Sequence, residues 1–190
     1  WKIWLNKKQK TNIMRKLLLG AILLFSTIGF TQVKTEVKKI DVDSIYIKKY
    51  VDIMTDKTYL FPSKKIVLLN DNNKMGFSVR GEIRNGFKFD GISVKQFGIG
   101  NCDENDELII LFDNGSKIIK KSWNEFNCEG NSYFNLNQDD INLLRKQTIS
   151  KIRLTNGRTY ESYTGDVEKS SKRYFIQLFY AIDNNVLTTA

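Results

Sequence analysis

The chain has 190 residues, of which 41% are hydrophobic and 27% charged, and no segment is of low complexity. A chain of this composition can bury a core, so intrinsic disorder is not expected. The sequence contains no histidine, which excludes Ser-His-Asp and Cys-His nucleophilic sites and histidine metal sites. Phosphate-binding glycine loops and the zinc-protease motif are also absent from the sequence.

A secretory signal peptide is predicted at residues 14–31, MRKLLLGAILLFSTIGFT. Two basic residues precede an uncharged, largely apolar run at residues 17–30, which is shorter than the roughly 20 residues of a membrane span. Small residues at positions 29 and 31 favour cleavage before Gln32. We therefore predict a periplasmic or secreted protein that contacts a membrane only through the signal peptide, before cleavage. An uncleaved N-terminal anchor is the alternative.

The predicted organisation is residues 1–31, upstream residues plus the signal peptide, followed by a single exported domain at residues 32–190. The domain has one proline and no linker-like segment at which to divide it. Residues 1–31 hold six of the 30 basic residues and none of the 21 acidic ones, so the domain carries a net charge of +3 rather than +9. That small charge does not favour nucleic acid, and no nucleic-acid partner is expected.

Alternating and β-branched segments predict strands through the first half of the domain. Residues 108–112, LIILF, are continuously apolar and predict a central strand. Asn-Gly pairs, the strongest short-range hairpin signal, separate predicted strands at three places. Further strands are predicted at residues 44–51, 65–69, 75–83 and 92–97, and the hairpins lie at residues 81–89, around Asn114-Gly115 and at 151–163.

Two helices are predicted in the C-terminal third of the chain. The first lies near residues 138–146, where Asn137 is placed to cap the N-terminus and acidic residues occupy the first turn. The second is amphipathic, because Phe175, Leu178 and Phe179 share one face. The sequence therefore predicts an α+β fold, an antiparallel sheet of Asn-Gly hairpins with the C-terminal helix packed on it.

The two cysteines of the chain, Cys102 and Cys128, lie on either side of the Asn114-Gly115 turn. Strands that run back from this turn place the two residues opposite each other, and export favours disulfide formation. A Cys102–Cys128 disulfide is therefore predicted, with two free thiols as the alternative.

Neither a cofactor nor a metal site is predicted. Two cysteines without histidine lack the usual companion ligands of a zinc site. Oxygen-bearing side chains alternate at Asp103, Asn105 and Glu107, as in a calcium loop. The segment lacks the glycine and the distant glutamate of an EF-hand, so a solvated acidic turn is favoured.

Several segments resemble one family of exported proteins. These are the leader ending in FTQ, the run GIGNCDENDELIILFDNGSKI, and the segments SWNEFNCEGNSYFNL, KIRLTNGRTYESYTGD and KRYFIQL. Together they resemble a family of small exported Bacteroidetes proteins of unknown function, over about residues 56–180. The resemblance implies an envelope or secreted location and a disulfide-bearing domain, and it implies no active site.

Aromatic and basic residues provide the candidate contact surface. Three aromatic residues flank the cysteine hairpin, where their rings can stack on a sugar; a place in the core is the alternative. Basic and aromatic residues interleave near the C-terminus, which suits an anionic glycan, with the solvated face of a hairpin as the alternative. The predicted ligand contacts are Trp123, Tyr133, Phe134, Arg153, Arg158 and Tyr160.

We interpret these patterns as those of a non-enzymatic binding module for an envelope protein or an envelope glycan. No catalytic residue is assigned. One alternative is a histidine-free hydrolase that acts on glycan through two carboxylates facing a cleft. The other is a structural component of the envelope, which would self-associate and bind no ligand.

Overall fold

The computed structural model describes residues 44–99 and 102–189, and these belong to one compact unit. The predicted signal peptide and its cleavage site lie outside the described residues. No helix of the described part is long and apolar enough to cross a bilayer. The elements are β1 (Ile47–Asp52), β2 (Lys57–Pro62), β3 (Ile66–Leu69), β4 (Gly76–Arg84), β5 (Lys88–Phe97), β6 (Glu107–Phe112), β7 (Lys117–Lys121), β8 (Asn131–Phe134), α1 (Gln138–Lys146), β9 (Ile149–Thr155), β10 (Ser162–Asp166), α2 (Tyr174–Asp183) and β11 (Leu187–Thr189).

The strands form two sheets. Sheet 1 has the order β11-β1-β2-β4-β5-β8, and β3 also pairs with β4. Strand β5 pairs with one edge of β4, and β2 and β3 share the other edge. On that edge Leu60 of β2 lies opposite Ile83, and β3 pairs along β4 from Ile66 opposite Val79 to Leu69 opposite Gly76. Sheet 2 has the order β10-β9-β6-β7. All pairings are antiparallel except that of β1 with β11.

The predicted α+β class with a single sheet is wrong, because the described chain is mostly β and its strands divide between two sheets. The class was missed because several strands are short and carry no clear alternation. Examples are β2, which ends in Pro62, the four-residue β8 and the three-residue β11. Such segments become strands because a partner strand satisfies their backbone groups, which is a tertiary effect.

Local signals placed the turns and helices correctly. Each predicted Asn-Gly pair lies in a connection between antiparallel neighbours, namely β4–β5, β6–β7 and β9–β10. Helix α1 has the predicted cap: the Asn137 side chain accepts from the Asp140 N–H, and the Asp140 carboxylate accepts from the Asn137 N–H. Helix α2 spans the predicted amphipathic segment but has no side-chain cap at its N-terminus.

Inner side chains of both sheets share one hydrophobic core. Phe77 of sheet 1 meets Tyr163 of sheet 2 edge to face, with ring centroids 6.0 Å apart. Helix α2 covers another part of sheet 1 through Phe175 and Phe179, which both contact Phe89. Gly81 permits this approach, since a Cβ there would lie 2.4 Å from Leu178 Cδ2. We call the cluster of Phe89, Phe175, Leu178 and Phe179 the aromatic core.

Candidate functional site

The predicted disulfide is confirmed. Cys102 and Cys128 are bonded, with their Cα atoms 4.0 Å apart, and the described residues contain no free cysteine. Next to the bond, Asp103 and Asn127 form an isolated antiparallel bridge through two backbone hydrogen bonds. The disulfide thus joins the two chain segments that lead into β6 and out of β7.

An exposed aromatic pair lies at the β8 edge of sheet 1. Alternation along β8 turns Ser132 and Phe134 inward and Tyr133 outward. The rings of Trp123 and Tyr133 have centroids 5.7 Å apart, and the two residues are 62% and 38% exposed. The Trp123 N–H donates to the Tyr133 carbonyl, and the Tyr133 N–H donates to Asn124 Oδ1, each at 3.0 Å. The aromatic pair is therefore held by backbone contacts rather than by ring contact alone.

A row of polar residues continues from the aromatic pair across the outer face of sheet 1. Tyr133 lies opposite Ser93, and Ser93 lies opposite Arg80, in the register of β8, β5 and β4. A groove of about 200 Å³ follows this row. We call it the basic groove; it is lined by Lys65, Ser78, Arg80, Ser93, Val94, Lys95, Asn131 and Tyr133.

The charges of the basic groove are only partly neutralised. Glu82 accepts from Arg80 at 2.9 Å and from the Ser93 hydroxyl. Lys65 and Lys95 are exposed, and neither forms an ion pair with a residue of the described chain. Two free cations therefore lie in a groove that ends at an exposed aromatic pair.

The other predicted contact residues lie elsewhere. Phe134 is 1% exposed and belongs to the hydrophobic core. Arg153 on β9 donates to Thr164 Oγ1 at 2.8 Å. The Arg158 guanidinium lies over the Phe126 ring, 4.6 Å from its centroid, and 3.7 Å from the Glu104 carboxylate.

Tyr160 is 80% exposed and has a positive φ of 59°. Among the described residues, no hydrogen bond, ion pair or ring contact links Tyr160 or the two predicted arginines to the aromatic pair. The structure therefore brings together Trp123 and Tyr133 of the predicted set. It adds the two free lysines, Lys65 just before β3 and Lys95 on β5, which the sequence did not identify because both lie far along the chain from Trp123 and Tyr133.

A second polar region lies inside the protein, beneath the disulfide. Asp103 and Asp106 have no exposed surface. One Asp106 oxygen accepts from the Gly157 N–H at 2.9 Å, and the other accepts from the Ser132 hydroxyl and from Gln96 Nε2, the latter at 3.4 Å. We call Asp103, Asp106, Gln96 and Ser132 the buried polar cluster.

The electrostatics of the buried polar cluster are dominated by its two carboxylates. Burial, followed by repulsion from the neighbouring Asp106, raises the pKa of Asp103 to about 6. The nearby amides of Gly130 and Asn131 oppose this rise in pKa but are not within good hydrogen-bond geometry of its oxygens. A glycan cannot reach this carboxylate pair, because neither residue is exposed.

The two regions suit different chemistry. The outer face offers stacking surface and free cations, which are the elements of a binding site for an anionic ligand. The buried polar cluster offers oxygen atoms and negative charge but no access for a large molecule. No protein-family model, curated protein or solved structure matches this chain.

Proposed function

We propose that the protein is a non-enzymatic binding module for an acidic glycan of the cell envelope. Trp123 and Tyr133 would stack on sugar rings, and Lys65 and Lys95 would pair with carboxylate or sulfate groups. The observation that carries this proposal is the continuous outer face on which an exposed aromatic pair adjoins a groove with two free lysines. The envelope location rests on the predicted signal peptide and on the disulfide.

Stacking supports a sugar as the ligand. The aromatic pair presents its rings to solvent at an interplanar angle of 38°, so that two adjacent pyranose rings can each meet one ring. Aromatic side chains with few rotatable bonds lose little conformational entropy on binding. Because backbone hydrogen bonds hold the pair in place, the platform is formed before the ligand arrives, which favours affinity.

Charge supports an acidic sugar over a neutral one. Lys65 and Lys95 line the basic groove without an acidic partner in the described chain, and an exposed ammonium gains free energy when a ligand carboxylate replaces water. The gain falls with added salt, because exposed charges are screened over about 8–10 Å near physiological ionic strength. Binding should therefore weaken as sodium chloride is raised.

The test is a fluorescence titration, since Trp123 is the sole tryptophan after residue 4. A six-residue uronic-acid oligosaccharide should change the emission of the domain expressed from Gln32, and a six-residue cellulose fragment should do so more weakly. Tyr133→Ala should weaken uronate binding at least tenfold without lowering the unfolding temperature by more than a few degrees. Trp123→Ala should weaken uronate binding by a similar factor; because this variant lacks the reporter tryptophan, its binding is measured by calorimetry.

A matched control variant exists on β1 and β2, toward the other end of sheet 1 from β8. Tyr50 and Tyr59 also form an exposed cross-strand ring pair, with centroids 6.3 Å apart. Tyr59→Ala should leave uronate binding unchanged. Equal losses from Tyr59→Ala and Tyr133→Ala, or no binding of either oligosaccharide, would overturn the glycan proposal and favour a protein partner.

A further inference from the structure

Three buried side-chain oxygens of the described chain lack a hydrogen-bond partner: both carboxylate oxygens of Asp103, and Gln96 Oε1. All three belong to the buried polar cluster. Buried polar atoms without a partner are rare in folded proteins, because each loses its water without compensation. Their concentration at one place indicates that something absent from the protein chain completes this cluster.

The cluster is built from three separate parts of the chain, and a fourth supplies a backbone donor. Gln96 comes from β5 and is 9% exposed, and its Nε2 reaches Asp106 Oδ2 at 3.4 Å, so its amide group lies against the Asp106 carboxylate. Ser132 comes from β8, the two aspartates precede β6, and Gly157 follows β9. The disulfide loop closes over it, where Asn156 Nδ2 donates to the Cys102 carbonyl at 2.8 Å.

No basic side chain of the described residues pairs with either buried aspartate. In the adjoining loops, Glu104 and Arg158 pair with each other on the surface. Two adjacent carboxylates removed from water repel each other and cost free energy unless a proton or a cation lies between them, and above about pH 6 Asp103 loses that proton. The missing component therefore carries positive charge.

The donor atoms identify the class of cation. The cluster supplies up to six oxygens, from two carboxylates, one amide and one hydroxyl, and no nitrogen or sulfur ligand. Oxygen ligands select hard cations. Ca²⁺ accepts six to eight oxygens in flexible geometry, whereas Mg²⁺ retains several waters, for which residues with no exposed surface leave little room.

We propose that the protein binds one Ca²⁺ ion in the buried polar cluster of Asp103, Asp106, Gln96 and Ser132, beneath the Cys102–Cys128 disulfide. These ligands differ from the calcium-loop pattern of Asp103, Asn105 and Glu107 in the sequence. In the structure Asn105 is exposed, while Asp106 turns inward beside Asp103. With only two negative charges, the site should have a dissociation constant of about 0.1–1 mM. That range of dissociation constants suits the calcium concentrations met outside a cell. The calcium site is separate from the proposed glycan site on the outer face.

The test compares thermal unfolding of the disulfide-intact domain in EDTA, in 5 mM CaCl₂ and in 5 mM MgCl₂, at equal ionic strength. Ca²⁺ should raise the unfolding temperature by about 3–6 °C and Mg²⁺ by less than half as much. Isothermal titration of the unaltered protein should give one Ca²⁺ per chain. This second measurement needs no variant, so it decides the proposal even where a variant fails to fold.

Two variants locate the site. Asp103→Asn should abolish the response to Ca²⁺ and should raise the unfolding temperature in EDTA, because it removes one of two repelling charges. Glu104→Gln, the matched control, changes an exposed acid in the same loop and should retain the full response. No Ca²⁺ binding up to 10 mM, or an equal Ca²⁺ response in Asp103→Asn and the unaltered protein, would overturn the proposal.

Discussion

The interior of this protein has two regions that are held together in different ways. In the aromatic core, Phe175 and Phe179 of α2 contact Phe89 of β5, and Gly81 leaves room for Leu178. All the packing partners of these aromatic side chains are residues of the protein. In the buried polar cluster, Asp103 and its neighbours also lie on the inner side of sheet 1, but three of their oxygens have no partner.

The difference shows that equal burial does not mean equal contribution to stability. Burying an aromatic side chain stabilises the fold by removing apolar surface from water. Burying a carboxylate opposes folding until a proton, a cation or hydrogen-bond donors compensate for the lost hydration. The contribution of the aromatic core therefore does not depend on pH or calcium, whereas that of the buried polar cluster depends on pH, on calcium and on the disulfide above it.

The largest expected effect comes from the aromatic core. Phe175 is 1% exposed, so Phe175→Ala should lower the free energy of unfolding by about 3–5 kcal/mol, measured by urea denaturation. The control is Ile119→Ala on β7, where the side chain is 56% exposed and the loss should stay below about 1 kcal/mol. A loss at Phe175 as small as that at Ile119 would show that α2 adds little to the core.

The second effect concerns the disulfide. Its cysteines are 26 residues apart, and a loop of this length contributes about 3.5 kcal/mol in the loop-entropy description. The double replacement Cys102→Ser and Cys128→Ser should lower the free energy of unfolding by about that amount. Hydrogen exchange should accelerate more around Asp103 and Asn127, where the chain can now open locally, than in α2, where exchange should follow only the loss of global stability. Faster exchange spread evenly over both regions would contradict this separation.

The smallest effect is a dependence on pH, measured with calcium chelated. Because the pKa of Asp103 is about 6 in the folded protein and 3.8 in the unfolded chain, the folded state binds more protons between these values. Its free energy of unfolding therefore decreases as the pH rises from about 4 to about 6 and levels off above that, by roughly 1–2 kcal/mol once solvent screening is allowed for.

The variant Asp103→Asn isolates this dependence, since asparagine imitates the neutral acid. At pH 7.5 the variant should be more stable than the unaltered protein, and at pH 3.5, below the pKa of Asp103 in the unfolded chain, the two should be nearly equal. Asp106 is the titratable neighbour that causes the repulsion, while Glu104 and Arg158 pair outside it. Two stability curves that run parallel between these pH values would show that Asp103 ionises normally.

The sequence by itself determined the local features of the protein. Asn-Gly pairs located three connections between antiparallel strands, and in two of them the glycine, Gly86 or Gly115, adopts a positive φ that other residues rarely tolerate. The Asn137 cap and the spacing of apolar residues located both helices. The position of Cys102 and Cys128 around one of these turns gave the disulfide. Each of these inferences depends on residues close in sequence or joined by a single hairpin.

Only the tertiary structure decided the division into two sheets, and with it the composition of both polar regions. The pairing of β5 with β8 brings Tyr133 beside Ser93 on the outer face and sets Gln96 and Ser132 inward against Asp106. A shift of one residue in this pairing would exchange the two faces of β8, so that Phe134 would be exposed and Tyr133 buried. The register of such a short strand depends on partners far along the chain, which is why the pattern of its four residues could not supply it.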